Sequence, residues 1–120
     1  MEIPMSTIFD FGFGLVPAHQ HPNGGGWVAD TAYVAETAFV GPNAQVFGNA
    51  RVSGNARISG DAWVFDDARV FGEARVFGEA RVFGSALVFD DAQVFGEARV
   101  FGSALVFDDA QVFDKVWVYE

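Results

Sequence analysis

From Ala32 onward the chain alternates apolar and polar residues on a strict six-residue cycle. Ala occupies positions 32, 38, 44 and every sixth residue to 110, fourteen times without a miss, and Val116 takes the next place. Val or Ile follows two residues after each, from Val34 through Ile58 to Val118, giving fifteen hexads. Gly26 with Val28 reads as a sixteenth, degenerate one. The unit is Ala-x-Val-(Phe/Ser)-(Gly/Asp)-(Asn/Asp/Glu/Ser). A period of six fits neither the 3.6-residue helical turn nor a heptad, so amphipathic helix and coiled coil are excluded. Ala and Val, two apart, lie on one side of a strand. Gly or Asp after Phe, followed by a small polar residue, is turn chemistry, because both tolerate positive φ. Each hexad is therefore a short strand and a corner. A strand that short buries its inner face only by stacking on its neighbours.

Residues 74–91 recur at 92–109 with one change, Arg75 against Gln93. This points to copying of a whole 18-residue coil of three hexads. Fifteen hexads then make five coils, a prism about 24 Å tall at roughly 4.8 Å per stacked strand. The inside holds Val/Ile and Ala, and no Pro after Pro42 interrupts the ladder.

Runs such as Asn43-Ala44-Gln45-Val46-Phe47-Gly48-Asn49-Ala50-Arg51-Val52 resemble hexapeptide-repeat proteins of the left-handed parallel β-helix type. The resemblance covers residues 26–120 and implies an all-β, triangular solenoid with 18 residues per coil. The lead-in His21-Pro22-Asn23-Gly24-Gly25-Gly26-Trp27-Val28-Ala29-Asp30 is similar to the start of bacterial and prophage members described as transferases. The commoner family pattern puts a small residue directly after the aliphatic one, whereas here Phe stands there and Gly follows. Residues 1–25 lie outside the repeat. Their period-two residues Phe9, Phe11, Phe13 and Leu15 suit a strand laid across the first coil or along a wall, which makes this segment the expected cap. Asn23-Gly24-Gly25-Gly26 reads as a flexible lead-in; it has neither the Lys nor the strand–turn–helix context of a phosphate cradle.

The 18-residue period sorts the outward residues into columns. One carries Phe47, Phe65, Phe83, Phe101 and Tyr119 beside Gln45, Trp63, Arg81, Arg99 and Trp117. A second carries Ser59, Phe77, Phe95 and Phe113 beside Arg57, Arg75, Gln93 and Gln111. The third carries Ser53, Phe71, Phe89 and Phe107 beside Arg51, Arg69, Leu87 and Leu105. Two side chains per wall already fill a narrow interior, so Phe is expected outside or at the corners, stacked on itself with Arg laid over the rings. Leu87 and Leu105 beside Phe71, Phe89 and Phe107 make the third face the expected interface of a homo-oligomer, dimer or trimer.

Composition narrows the chemistry. Of 120 residues, 7 are Lys or Arg and 16 Asp or Glu, a net charge of -9 that disfavours nucleic acid and anionic lipid as partners. It permits a third role, mimicry of a nucleic-acid backbone, although interleaved cations weaken the field. Cys is absent, which removes disulfides, thiolate metal sites and cysteine nucleophiles. The first cation is Arg51, so the N-terminus lacks a basic signal region, and no apolar run approaches membrane-span length. The expected location is cytoplasmic.

Candidate chemistry is sparse. His19 and His21 alternate and could face one metal, with Asp30 or a neighbouring subunit supplying a third ligand. Asp90, Asp91, Asp108 and Asp109 stack across one coil, an arrangement that could recruit a divalent cation such as Ca²⁺; a solvated acidic edge is the simpler account. The family resemblance implies acyl transfer, with acyl-CoA bound between neighbouring prisms and a His as base. Only His19 or His21 could serve, and the uninterrupted repeat has no inserted loop. A rigid interaction module with no cofactor is the leading expectation, and an acyltransferase-like enzyme the alternative.

Overall fold

The computed structural model describes residues 8–120. These residues form an all-β, three-walled parallel solenoid of about five coils, with no helix among them. Two strands precede the repeat, β1 (Ile8–Asp10) and β2 (Leu15–Gln20), followed by β3 (Trp27–Ala29) and fifteen two-residue strands from Tyr33–Val34 to Trp117–Val118. Each residue of a strand pairs in parallel with the residue eighteen positions on. Val64 faces Val82, Val70 faces Val88 and Val76 faces Val94.

We call the three sheets walls A, B and C. Wall A stacks β3 on the strands at Gln45, Trp63, Arg81, Arg99 and Trp117. Wall B stacks those at Tyr33, Arg51, Arg69, Leu87 and Leu105. Wall C stacks those at Phe39, Arg57, Arg75, Gln93 and Gln111.

The inward Ala and Val of every central coil are wholly buried and form one continuous cluster. Each buried Val contributes roughly 1.5–3 kcal/mol. The coil-to-coil ladder does not stop at the walls. Arg75 N–H donates to Ala92 O at 3.0 Å and Phe77 N–H to Val94 O at 2.9 Å. Past the corner, Glu79 N–H donates to Gly96 O at 2.7 Å. Corners therefore pair like strands, which is how two-residue strands satisfy their backbone.

As the period predicts, Phe stands at the corners, half-buried, with each ring on the ring one coil away. Phe65–Phe83 centroids are 4.9 Å apart, Phe71–Phe89 5.0 Å and Phe77–Phe95 4.9 Å, all nearly parallel. The guanidinium groups lie elsewhere than on these corner rings. Arg57 sits over Phe39 at 4.7 Å, Arg81 over Trp63 at 4.4 Å and Arg99 over Trp117 at 5.7 Å. All three rings belong to wall residues one coil from the cation, because the strand register sets wall against wall and corner against corner.

The lead-in joins the stack in two ways. On wall A, β2 runs antiparallel to β3 and β1 antiparallel to β2, so a hairpin extends that sheet by two strands. Phe11 of the hairpin loop is buried and stacks on Phe47 at 4.9 Å, extending the corner column. On wall C the backbone of the lead-in itself pairs. Gly26 N–H donates to Val40 O at 2.9 Å and Val40 N–H to Asn23 O at 3.0 Å. The glycines expected to be flexible are thus fixed; a Cβ on Gly24, at φ +116°, would lie 2.1 Å from Val40 O. Wall B has no such cover among the described residues, and its Tyr33 is exposed. The part of the expected cap at residues 1–7 lies outside the described residues.

The hairpin turn carries its own titratable lock. Asp10 accepts hydrogen bonds from Gly12 N–H at 2.7 Å and Gly14 N–H at 3.1 Å. The Gly12 bond foremost, with Gly14 next, holds its carboxyl below the ordinary aspartate range. A depressed folded-state pKa gives stability that is present above the unfolded value and lost as pH falls through the folded one. The Gly12 and Gly14 amide NMR resonances should therefore move together, with a midpoint below that of an unstructured Asp. A midpoint at the ordinary value would show the lock absent.

Candidate functional site

The two histidines have separate duties. On β2, His19 Nδ1 lies 2.7 Å from Asp30 Oδ1, and both side chains are about half exposed. The carboxylate accepts, so Nδ1 carries the proton and Nε2 is left as the nitrogen able to act as a base. His21 is buried, with Nε2 2.8 Å from Ala38 O. A carbonyl only accepts, so His21 Nε2 donates, and the ring ties the lead-in to wall C. Asn23 Nδ2 donates to the same oxygen at 3.1 Å. The alternating pair thus serves two different partners, Asp30 and Ala38, and Asp30 enters as partner to His19 alone.

The acidic corners have a backbone role. Asp66, Asp90, Asp108 and Asp114 sit at φ between 55° and 59°, where eight other corners use glycine. Asp90 Oδ2 accepts from Asp108 N–H at 3.2 Å, and Asp66 Oδ2 from Gly84 N–H at 3.1 Å. Asp66 and Asp90 therefore reach to the next coil, while Asp91 and Asp109 are exposed at their corners. Among the described residues no group of three or more His, Asp or Glu side chains is placed to hold a metal ion.

Wall B places the expected interface residues in one strip. Leu87 pairs with Leu105 in register, and Phe89 stacks on Phe107 at 5.4 Å. Phe71 stacks on Phe89 behind them. Leu105 is 54% exposed and Phe107 44%, whereas Leu87, Phe71 and Phe89 are half-buried. Arg51 and Arg69 stand on the same wall toward its other end, both exposed.

A further feature lies on wall A. A groove of about 650 Å³ runs between the wall column Trp27–Gln45–Trp63–Arg81 and the corner column Asn43–Asp61–Glu79. A second cavity of about 210 Å³ continues it past Glu97 and Arg99 to Lys115 and Trp117, sharing Glu79 and Arg81. Phe9 stacks on Trp27 at 4.6 Å, and Arg81 covers Trp63. Gln45 lies one coil from each Trp, and its Oε1 is buried without a hydrogen-bond partner among the described residues. The column reading of the sequence contains Gln45, Trp63 and Arg81. It misses the groove because Trp27 precedes the regular repeat and the acids belong to the adjoining corner.

A family model described as YdcK beta solenoid repeat matches residues 44–60 and 50–65, a little over one coil. No curated protein and no solved structure matches the chain. The matched repeat and the stacked walls agree on a β-solenoid repeat module. Among the described residues no helix is long and apolar enough to cross a membrane.

Proposed function

We propose that this module is a rigid scaffold that pairs with a second copy of itself through wall B. The observation that carries the reading is the exposure of Leu105 and of the corner residue Phe107 beside the half-buried, in-register Leu87. Apolar surface of that kind is stabilised by burial against a partner. The same wall changes character along its length, basic at Arg51 and Arg69 and aliphatic at Leu87 and Leu105, with the Asp90–Asp91 and Asp108–Asp109 corners alongside. An antiparallel two-fold arrangement that sets Leu87 on Leu105 brings each copy's Arg69 toward the other's Asp108–Asp109 corner, the self-complementarity an isologous dimer needs. The solenoid supplies rigidity, because coil-to-coil hydrogen bonds run through walls and corners alike.

Sedimentation equilibrium tests the reading. The native chain should be a dimer at micromolar concentration, and Leu87→Arg with Leu105→Arg should give a folded monomer. A native chain that stays monomeric at high micromolar concentration overturns it. A second reading, acyl transfer with His19 as base in a subunit seam, is favoured by one observation, the Asp30 carboxylate that orients the ring. Acetyl-CoA supplied with an amine or hydroxyl acceptor should then yield free thiol and an equal amount of acetylated acceptor with the native protein, and neither with His19→Ala.

A further inference from the structure

We propose that Asn23 is a modification site: the Asn23–Gly24 step deamidates when the lead-in lifts off wall C, and the isoaspartyl product cannot dock again. The inference is independent of self-association, which uses wall B.

The chemistry is intramolecular. Asn23–Gly24 is the one Asn-Gly step in the chain, whereas Asn43, Asn49 and Asn55 each precede Ala. The backbone nitrogen of the following residue, once deprotonated, attacks the side-chain carbonyl carbon. Glycine shields that nitrogen least, because no Cβ stands beside it. The new bond joins Gly24 N to Asn23 Cγ, the Cγ–Nδ2 bond breaks, and the amide leaves as ammonia. Water then opens the five-membered imide at either carbonyl. Opening at Cγ gives Asp. Opening at the main-chain carbonyl gives isoaspartate, whose chain runs through Cβ and Cγ. Asn23 is exposed, so water reaches the ring.

The docked lead-in ties down both reacting groups. Asn23 Nδ2 donates to Ala38 O at 3.1 Å, the oxygen that also accepts from His21 Nε2 at 2.8 Å. Val40 N–H donates to Asn23 O at 3.0 Å, and Gly26 N–H donates to Val40 O at 2.9 Å. Gly25 N–H donates to His21 O at 2.9 Å and closes the turn around them. Gly24 is wedged against the Val40 carbonyl, which leaves its nitrogen little room to move. Cγ must therefore travel to the nitrogen, and that movement pulls the amide off Ala38 O. Ring closure thus waits for local opening of the lead-in, a state populated for only a fraction of the time.

The product does not fit the place it left. Isoaspartate adds one atom to the main chain between His21 and Gly26, both of which are pinned. It also turns the carbonyl that accepted from Val40 into a pendant carboxylate. Neither product can donate to Ala38 O, since a carboxylate only accepts. The wall C edge of the core, where Ala38 and Val40 are wholly buried, then loses its cover. A spontaneous reaction so converts a docked lead-in into a released one.

Ageing the full chain at mildly alkaline pH tests the proposal. The first tryptic site is Arg51, so one peptide, 1–51, carries the lead-in, and tandem mass spectrometry locates the amide-to-acid change within it. In the urea-unfolded chain Asn23 should convert ahead of Asn43 and Asn49. The folded chain should convert at Asn23 at least tenfold more slowly than the unfolded one. His21→Ala, which removes the other donor to Ala38 O, should raise the folded-state rate at least fivefold. The isoaspartyl form, separated by anion exchange, should lose hydrogen-exchange protection at the Val40 and Gly26 amides, while Phe77, bonded to Val94 O in the central coils, keeps it. Equal rates in the folded and unfolded native chain overturn the proposal, even where His21→Ala does not fold. So does an unchanged rate in a folded His21→Ala protein, or an isoaspartyl form whose Val40 amide stays protected.

Discussion

Replacing Val76 by Asp should abolish cooperative folding, while replacing its neighbour Arg75 by Asp should change stability by about 0.5 kcal/mol or less. The two positions are adjacent in sequence and opposite in environment. Val76 is fully buried, with Ile58 one coil before it and Val94 one coil after. Its wall packs against Ala and Val columns that offer no donor. A carboxyl group there forfeits the burial of the isopropyl group, roughly 1.5–3 kcal/mol, and must then be buried either charged and unpaired or protonated and unsatisfied. Together these exceed about 4 kcal/mol, against a total stability of about 5–15 kcal/mol for an ordinary domain. Arg75 points outward and is exposed, and the near-copy of its coil already carries Gln93 in that place. Urea titration followed by far-ultraviolet circular dichroism separates the cases. A Val76→Asp protein with a native-like transition would mean that the inward column is not a sealed core.

At the corner two residues on, Gly78→Val should cost about 3 kcal/mol or more, and Gly78→Asp about 1 kcal/mol. Gly78 sits at φ +69°, and a Cβ there would stand 2.9 Å from the Gly96 backbone nitrogen in the next coil. A β-branched side chain is poorly tolerated at that φ, and its branches crowd the same nitrogen. Asp has a route out, which the protein uses at Asp66 and Asp90. There the carboxylate accepts from the backbone N–H that its Cβ approaches, at Gly84 and Asp108. A contact that would be only a clash becomes a hydrogen bond. Thermal melts should show the Val variant falling by more than about 10 °C and the Asp variant by a few degrees. Equal losses would indicate that steric crowding alone rules the corner.

The Ala and Val columns, the 18-residue coil and the outward Phe are legible in the sequence because each depends only on period. An inward position repeats every six residues, and a narrow interior admits nothing larger than Val or Ile on every hexad. The hairpin is half legible. Alternation at Phe9, Phe11, Phe13 and Leu15 predicts one strand, whereas the chain turns over residues 11–14, where Asp10 accepts from Gly12 and Gly14, and it is the following strand, β2, that pairs antiparallel with β3. The histidines mislead for a similar reason. Spacing brings His19 and His21 close along the chain, while the fold gives one to Asp30 and the other to the Ala38 carbonyl. The wall A groove escapes a column-by-column reading because it lies between two columns and begins at Trp27, where the regular cycle has not yet started.

Near-identity of residues 74–91 and 92–109 has a consequence for how the chain finds its place. Sliding the later coils by eighteen residues would set Val on Val, Ala on Ala and Phe on Phe, exchanging little more than Arg75 for Gln93. Between these two coils the repeat by itself therefore offers a nearly degenerate alignment. The copied pair cannot tell its two alignments apart, so residues outside it must, and at the start these include the hairpin, the Phe9–Trp27 stack and the His21 anchor on Ala38. Those contacts act as an origin mark from which the coils are counted.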